Sequence, residues 1–589
     1  MKRFLVVLLC LIGGMTLLMV GAGLVVGFAK FSVKPGLPSK ILLEVDLETG
    51  MLEDIPDDPI ASLMQRDTPT VRDYIGALRA AQEDSRVTGL VARIGGGGYG
   101  MAITQELRDA IVSFREAGKF TIAYAETFGE VGPGNGGYYL ATGFDEIWLQ
   151  PSGDIGLTGL IYESPFVKGT LDKIGITARM DHRYEYKNAM NFYTDTAFTP
   201  AHREAMDRIA QSQFDQIVRG VAAARKLTDA EVRARVDRGP FLGAEALDAG
   251  LVDGLAYRDE VYAKARERAG EKASLLYLLR YGDRAPKKHA KKTIALVYGV
   301  GAVVRGESGY NAATGEMTMG SDTVAGAIRD AVADDSVKAI LFRVDSPGGS
   351  YAASDTIWRE TVRAKAAGKP VIVSMGNLAG SGGYFVAMAA DKIVAQPGTI
   401  TGSIGVLGGK FLTKEMWDKI GLTWDEVHTS ANATMWTGVR DYSPAEYERF
   451  QRWLDRVYAD FTTKVAEGRH LPIEKVREIA KGRIWTGEDA LPIGLVDELG
   501  GFRVALRLAK EAAGIDVDDP VLLKRFPARK SPYQSFFGQS PDNSDPAAAA
   551  EVVRRTLIAL QPTARALAPI VAGADRYGVL SMPPIEPAP

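Results

Sequence analysis

The chain has 589 residues, 46% of them hydrophobic and 24% charged, with a net charge of −3. Those are the proportions of an ordinary globular protein, and they give no basic surface of the kind that nucleic-acid binding requires. One cysteine, Cys10, rules out an intrachain disulfide and any cysteine-built metal site. The five histidines (His182, His202, His289, His428 and His470) show no metal-binding spacing, so neither a metal nor another cofactor is expected.

Residues 4–29 form an uncharged run of 26 residues. As a helix it would be about 39 Å long, more than a hydrocarbon core of about 30 Å. The apolar core of a cleaved signal peptide is only about 7–15 residues, so an uncleaved membrane anchor is expected over residues 1–30. Leu9 before Cys10 disfavours a lipoprotein signal. Lys2 and Arg3 favour a cytoplasmic N-terminus, but Lys30, Lys34 and Lys40 flank the other end, and charge alone leaves the orientation open.

Beyond the anchor, residues 41–47 read as a first strand, 72–83 as a helix, and 89–94 as a buried strand ending in the glycine run Gly95 to Gly98. A helix at 103–117, a strand at 120–125, a loop and helix at Asn135 and a strand at 146–149 follow. Strands alternating with helices predict βα crossovers and a mainly parallel sheet. The same order then returns. TVAGAIRDAVADDSVKAILFRV (323–344) aligns with DYIGALRAAQEDSRVTGLVARI (73–94) at an offset of 250, and the stretch from Ser381 aligns with that from Asn135 at 246. In the second alignment Gly137 falls on Gly383, Tyr138 on Tyr384, Pro151 on Pro397, Gly156 on Gly402 and Gly159 on Gly405. The chain is an internal duplication. The expected domains are 40–275 and 293–515, joined by a basic linker (276–292, with the run Lys287 to Lys292) and followed by a partly disordered extension (516–589) in which 546–568 could be one helix.

Ser381 lies between small residues where a strand gives way to a helix beginning near Gly382. A helix N-terminus offers free N–H groups and partial positive charge, which suit an oxyanion. A second glycine turn, Asp345-Ser346-Pro347-Gly348-Gly349, follows the preceding strand, and loops after adjacent parallel strands gather at one edge of the sheet. The N–H groups of Gly348 or Gly349 and of Gly382 can therefore face one oxygen; the competing reading is that these glycines serve only tight turns and close helix packing. A nucleophilic serine needs a base. Ala379 rules out a G-x-S-x-G elbow, and no histidine has the context of a triad partner, His428 being the nearest in the same half. A lysine whose pKa falls from about 10.4 to about 7.5 would serve, at roughly 4 kcal/mol, which burial can supply. Lys187, in Tyr184-Glu185-Tyr186-Lys187-Asn188-Ala189-Met190, is flanked by tyrosines and small apolar residues. Alone it reads as a surface lysine. Its counterpart in the second half is near Ala433, however, and the first half has Asn135 where the second has Ser381. Each half lacks what the other keeps.

The duplicated body, the apolar run, DSPGG (345–349), GSGGY (380–384), TGSIG (401–405) and YEYKNA (184–189) together resemble the long, internally duplicated form of the bacterial signal peptide peptidase A family, over roughly residues 40–515. The resemblance implies an α/β chain of two tandem Clp protease/crotonase-like domains preceded by one transmembrane helix. It implies Ser381 as nucleophile, Lys187 as general base, Ser403 as the group that orients the lysine, and Gly348, Gly349 and Gly382 as the oxyanion hole. It further implies a homo-oligomer (a tetramer) at the bacterial inner membrane, with its catalytic body on the periplasmic side, acting on released signal peptides and other apolar peptides. Gly380 stands where the family usually has alanine, and Gly95–Gly98 stands in the place of DSPGG in the first half. A crotonase-type acyl-CoA enzyme and a non-catalytic membrane scaffold are the rival readings.

Overall fold

The computed structural model describes residues 36–529, apart from 56–64, 66–67, 97, 287 and 312–313, together with the backbone of Leu580 and Ser581. The expected anchor over 1–30 and the expected helix over 546–568 lie outside the described residues. Among the described residues no helix is long and apolar enough to cross a membrane.

Two sheets carry the molecule. In the first, six parallel strands run across the sheet as Gly254–Leu255, Glu146–Leu149, Phe120–Ala125, Val87–Arg93, Ile41–Asp46 and Ser274–Tyr277. The second repeats that order with Glu498–Leu499, Lys392–Ala395, Val371–Gly380, Val337–Ser346, Lys292–Val300 and Val521–Phe526. Its central strand, Val371–Gly380, is long enough to pair also with Ile400–Gly402, which in turn pairs antiparallel with Ile484–Thr486.

The strands are near-continuous apolar runs because helices cover both faces of each sheet. Side chains alternate between the faces: Ile41, Leu43, Leu90 and Ala92 enter one core of the first sheet, and Leu42, Val91 and Ile122 enter the other. The second sheet divides in the same way, with Ala295, Ile340 and Val373 on one side and Leu296, Leu341 and Ile372 on the other. Two 26-residue helices, Pro200–Arg225 and Pro444–Arg469, occupy equivalent places. Each starts on a hydroxyl cap followed by proline (Thr199-Pro200, Ser443-Pro444), a sequence suited to a helix start.

Both sheets reach past the boundaries expected from sequence. Within 276–292, Leu278–Gly282 is a helix whose Leu278 and Tyr281 are buried in the first core, so that stretch is more than a linker. Val521–Phe526, beyond 515, completes the second sheet, because its backbone pairs with Lys292–Val297.

The halves interlock. Thr177–His182 pairs antiparallel with Leu407–Leu412. From the first-half helix Met101–Glu116, Gln105 Oε1 accepts from Gly398 N at 2.8 Å. From Pro200–Arg225, Gln213 Nε2 donates to Gly398 O at 2.8 Å. These contacts carry a segment of the first half into the loops at the carboxyl end of the second sheet.

Candidate active site

Ser381 follows the last residue of the Val371–Gly380 strand and caps the helix Gly382–Ala387 with φ +54° and ψ −116°. A non-glycine residue in that region is strained by about 1–3 kcal/mol, and such strain concentrates at functional sites. The serine is fully buried, and its N–H donates to Gly402 O at 2.8 Å. The glycines after it permit close approach to the DSPGG turn. A Cβ on Gly383 would lie 2.6 Å from Ser346 O, and one on Gly382 would lie 2.9 Å from Gly349 N. Gly348, Gly349 and Gly382 are thus brought together beside Ser381, and the glycines permit that close packing. Gly348 has φ +98°, and its N–H donates to Ser346 Oγ at 3.2 Å. Gly348 and Gly349 also pair antiparallel with Ser581 and Leu580, so this edge already holds an extended peptide.

Lys187 arrives from the first half. Tyr184, with φ +64°, turns the chain, and Tyr186 N donates to Lys481 O at 3.2 Å, tying the segment to the second half. The lysine stem runs between two second-half glycines: a Cβ on Gly482 would lie 2.6 Å from Lys187 Cβ, and one on Gly405 would lie 3.2 Å from its Cδ. Lys187 is 1% exposed. Its Nζ lies 2.7 Å from Ser381 Oγ, 2.9 Å from Ser403 O and 3.0 Å from Ser403 Oγ. Burial pushes its pKa down to about 7. Three contacts suit a neutral amine, which has two N–H donors for Ser403 and one lone pair for the Ser381 hydroxyl. Ser403 is itself held with φ +52°, its N–H donating to Arg483 O at 2.7 Å.

The structure therefore brings together, within one chain, all six residues singled out from sequence. It leaves His428 on an exposed segment, facing Glu426. The sequence reading missed Asp345, whose carboxylate accepts from Leu378 N at 2.9 Å, and Asn377, which reaches into the first half. Asp345 stands first in the DSPGG motif, and that placement beside the glycines was the available signal.

At the equivalent place in the first half, Asn135 Oδ1 accepts from Thr158 N at 3.1 Å and Gly159 N at 3.0 Å, and its Nδ2 donates to Gly159 O at 2.8 Å. All three bonds serve the local loop. Ala433, opposite Lys187 in the duplication, is exposed.

The family model for Peptidase family S49 matches residues 113–272 and 363–516, one stretch in each half. Protease 4 of Salmonella typhi is 35% identical over 454 residues, covering 75% of this chain and 72% of that protein. The chloroplastic serine protease SPPA of Arabidopsis thaliana is 32% identical over 452 residues, covering 75% of this chain and 66% of that protein. A putative signal peptide peptidase SppA of Enterococcus faecium is 34% identical over 178 residues, 30% of this chain and 52% of that protein. With the repeated α/β topology, these similarities establish that the chain belongs to peptidase family S49, as a long, internally duplicated serine peptidase of the signal peptide peptidase A type.

Proposed function

We propose that the chain is a membrane-anchored endopeptidase that degrades released signal peptides and other apolar peptides through an acyl-enzyme on Ser381, with Lys187 as general base. The observation that carries this reading is a buried lysine Nζ 2.7 Å from a buried serine Oγ, its pKa pushed down to about 7 by burial. Neutral Lys187 takes the Ser381 proton as Oγ attacks the scissile carbonyl. The oxyanion forms against backbone N–H groups of Gly348 or Gly349 and Gly382, whose fixed dipoles need no reorganisation. The lysine ammonium then passes its proton to the departing amine, and the acyl-enzyme remains. Water, deprotonated by the same Lys187, attacks that ester, and the proton returns to Ser381 as the acid product leaves. Ser403 accepts both N–H groups of the amine, which aims its lone pair at Ser381.

One feature favours a peptide substrate. The Gly348–Gly349 edge accepts an extended strand, and β-pairing of this kind supplies affinity through the main chain. The preference for signal peptides rests on the family, and the anchor rests on the uncharged run over 4–29. The same resemblance supports a homo-oligomer, a tetramer, at the bacterial inner membrane with its catalytic body on the periplasmic side.

The test incubates the full chain with a synthetic signal peptide and with a serine-directed acylating probe. Cleavage within the apolar core and labelling at Ser381 are expected. Labelling at another residue, or cleavage that survives Ser381→Ala, would overturn the reading. Retention in the membrane fraction after alkaline washing, lost on deletion of residues 1–30, checks the anchor.

A further inference from the structure

Between Val344 and Ser346 the Val337–Ser346 strand advances two residues, while its neighbour advances four, from Met375 to Ala379. The strand that delivers Ser381 is therefore bulged over Gly376-Asn377-Leu378. Bulges recur beside active sites, where they re-aim a side chain. This one is fixed from both sides. Asn377 turns towards the first half, where its Oδ1 accepts from Ala102 N at 3.1 Å and Ile103 N at 3.2 Å and its Nδ2 donates to Tyr99 O at 2.8 Å. From the other side, Asp345 Oδ1 accepts from Leu378 N at 2.9 Å.

Asp345 occupies a particular place in the chain. It lies three residues before Gly348, and the N–H it binds lies three residues before Ser381. One carboxyl thus spans the two segments that carry the oxyanion donors and the reactive hydroxyl. Its backbone is fixed too, since its carbonyl accepts from Gly301 N at 2.9 Å. Gly376 leaves just enough room for the group, because a Cβ there would lie 2.9 Å from Asp345 Cγ. We infer that Asp345 is a positioning residue for peptide hydrolysis, its carboxyl oxygen setting the spacing between the oxyanion turn and Ser381. This inference rests on the proposed role of Ser381.

The role needs an acceptor oxygen rather than a charge. The nearby guanidinium of Arg343 is engaged by Glu53, with Nε at 2.7 Å, and by Glu106, with Nη2 at 2.8 Å from its carboxylate. That cation is thus taken up by two other carboxylates, and burial together with the Glu53 charge pushes Asp345 up to about 7. An amide in its place would still accept from Leu378 N.

The test measures kcat and KM of the full chain on an apolar fluorogenic peptide, with melting temperatures alongside. Asp345→Ala should lower kcat roughly 100-fold, the scale expected when reacting groups shift by about 1 Å, while KM stays within about threefold. Asp345→Asn should restore kcat to within about fivefold of wild type. Gly376→Ala, whose new methyl displaces the carboxyl, should reproduce much of the kcat loss, and in the Asp345→Ala background it should add none, because the two changes act on one contact. An Asp345→Ala enzyme within twofold of wild-type kcat overturns the inference, as does Asp345→Asn losing as much rate as alanine. If Asp345→Ala does not fold, Asp345→Asn and Gly376→Ala decide the matter by the same criteria. Ser381→Ala is measured in parallel: if it keeps activity, the proposed nucleophile fails, and if it is inactive while Asp345→Ala is unimpaired, only the present inference fails.

Discussion

The two halves lay their strands in the same order and turn at equivalent glycines, yet they treat the strand-to-helix junction in opposite ways. In the second half the junction holds Ser381 in strained backbone, fully buried against an amine. In the first half Asn135 spends every polar atom on its own loop, binding Thr158 and Gly159. The close approach of helix to turn is kept on both sides. A Cβ on Gly137 would lie 2.0 Å from Gly95 O, as one on Gly383 would lie 2.6 Å from Ser346 O. A duplicated fold can thus keep the packing of a site while giving up its chemistry, because packing depends on glycine and backbone shape and chemistry depends on one side chain. The halves remain mutually dependent, since the retained amine belongs to the half that lost the hydroxyl.

The strongest way to break this asymmetry is Ser381→Ala. It should lower kcat/KM by about 10⁶-fold, as removal of a nucleophile does elsewhere, while the protein stays folded, because alanine keeps the Cβ and the same backbone conformation. Next, Lys187→Arg should cost about 10⁴-fold, at the upper end of the contribution of a general base. Arginine keeps its proton at any accessible pH. In the wild type kcat/KM should rise with pH through about 7 and then level off. The same depressed pKa makes a stability prediction. Between about 7 and the ordinary value of 10.5 the unfolded chain binds a proton that the folded one does not, so this group's contribution to stability falls as pH is lowered across that window. Lys187→Met should therefore raise the melting temperature at pH 7 while abolishing hydrolysis; equal melting temperatures for the two proteins at pH 7 and at pH 10 would contradict a neutral buried lysine.

A smaller effect is expected at Ser403→Ala, which removes one acceptor while the Ser403 carbonyl remains. A loss of about tenfold, the worth of one hydrogen bond of roughly 1.4 kcal/mol, should appear in kcat. The smallest concerns the silent half. Asn135→Ser in a Ser381→Ala background should restore no hydrolysis and take up no acylating probe, because Ala433 offers no base. It should still lower stability by about 1–2 kcal/mol through lost loop hydrogen bonds. Labelling of the introduced serine would show that the first half is merely unarmed.

Much of this is legible in the amino-acid sequence. A constant offset exposes the duplication, and the complementary loss of Ser at 135 and Lys near 433 points to one site built from both halves. What stayed hidden depends on partners distant in sequence. The helix Leu278–Gly282 and the strand Val521–Phe526 owe their places to a neighbouring core and a neighbouring strand, which local pattern does not report. The serine strand runs beyond its apolar stretch, Val371 to Met375, to Gly380 through a bulge of glycine and asparagine with no period of its own. The crotonase-type and scaffold alternatives are set aside by the similarity to peptidases over both halves.

The antiparallel pairing of Thr177–His182 with Leu407–Leu412 has a consequence for how the enzyme responds to dilution. Amine and hydroxyl are tethered in one polypeptide and clamped by that ladder on either side of the gap, so their encounter is governed by an effective molarity fixed by the chain, not by protein concentration. Turnover per polypeptide should hold constant down to concentrations at which contacts between separate molecules dissociate. A site shared between chains would fade there.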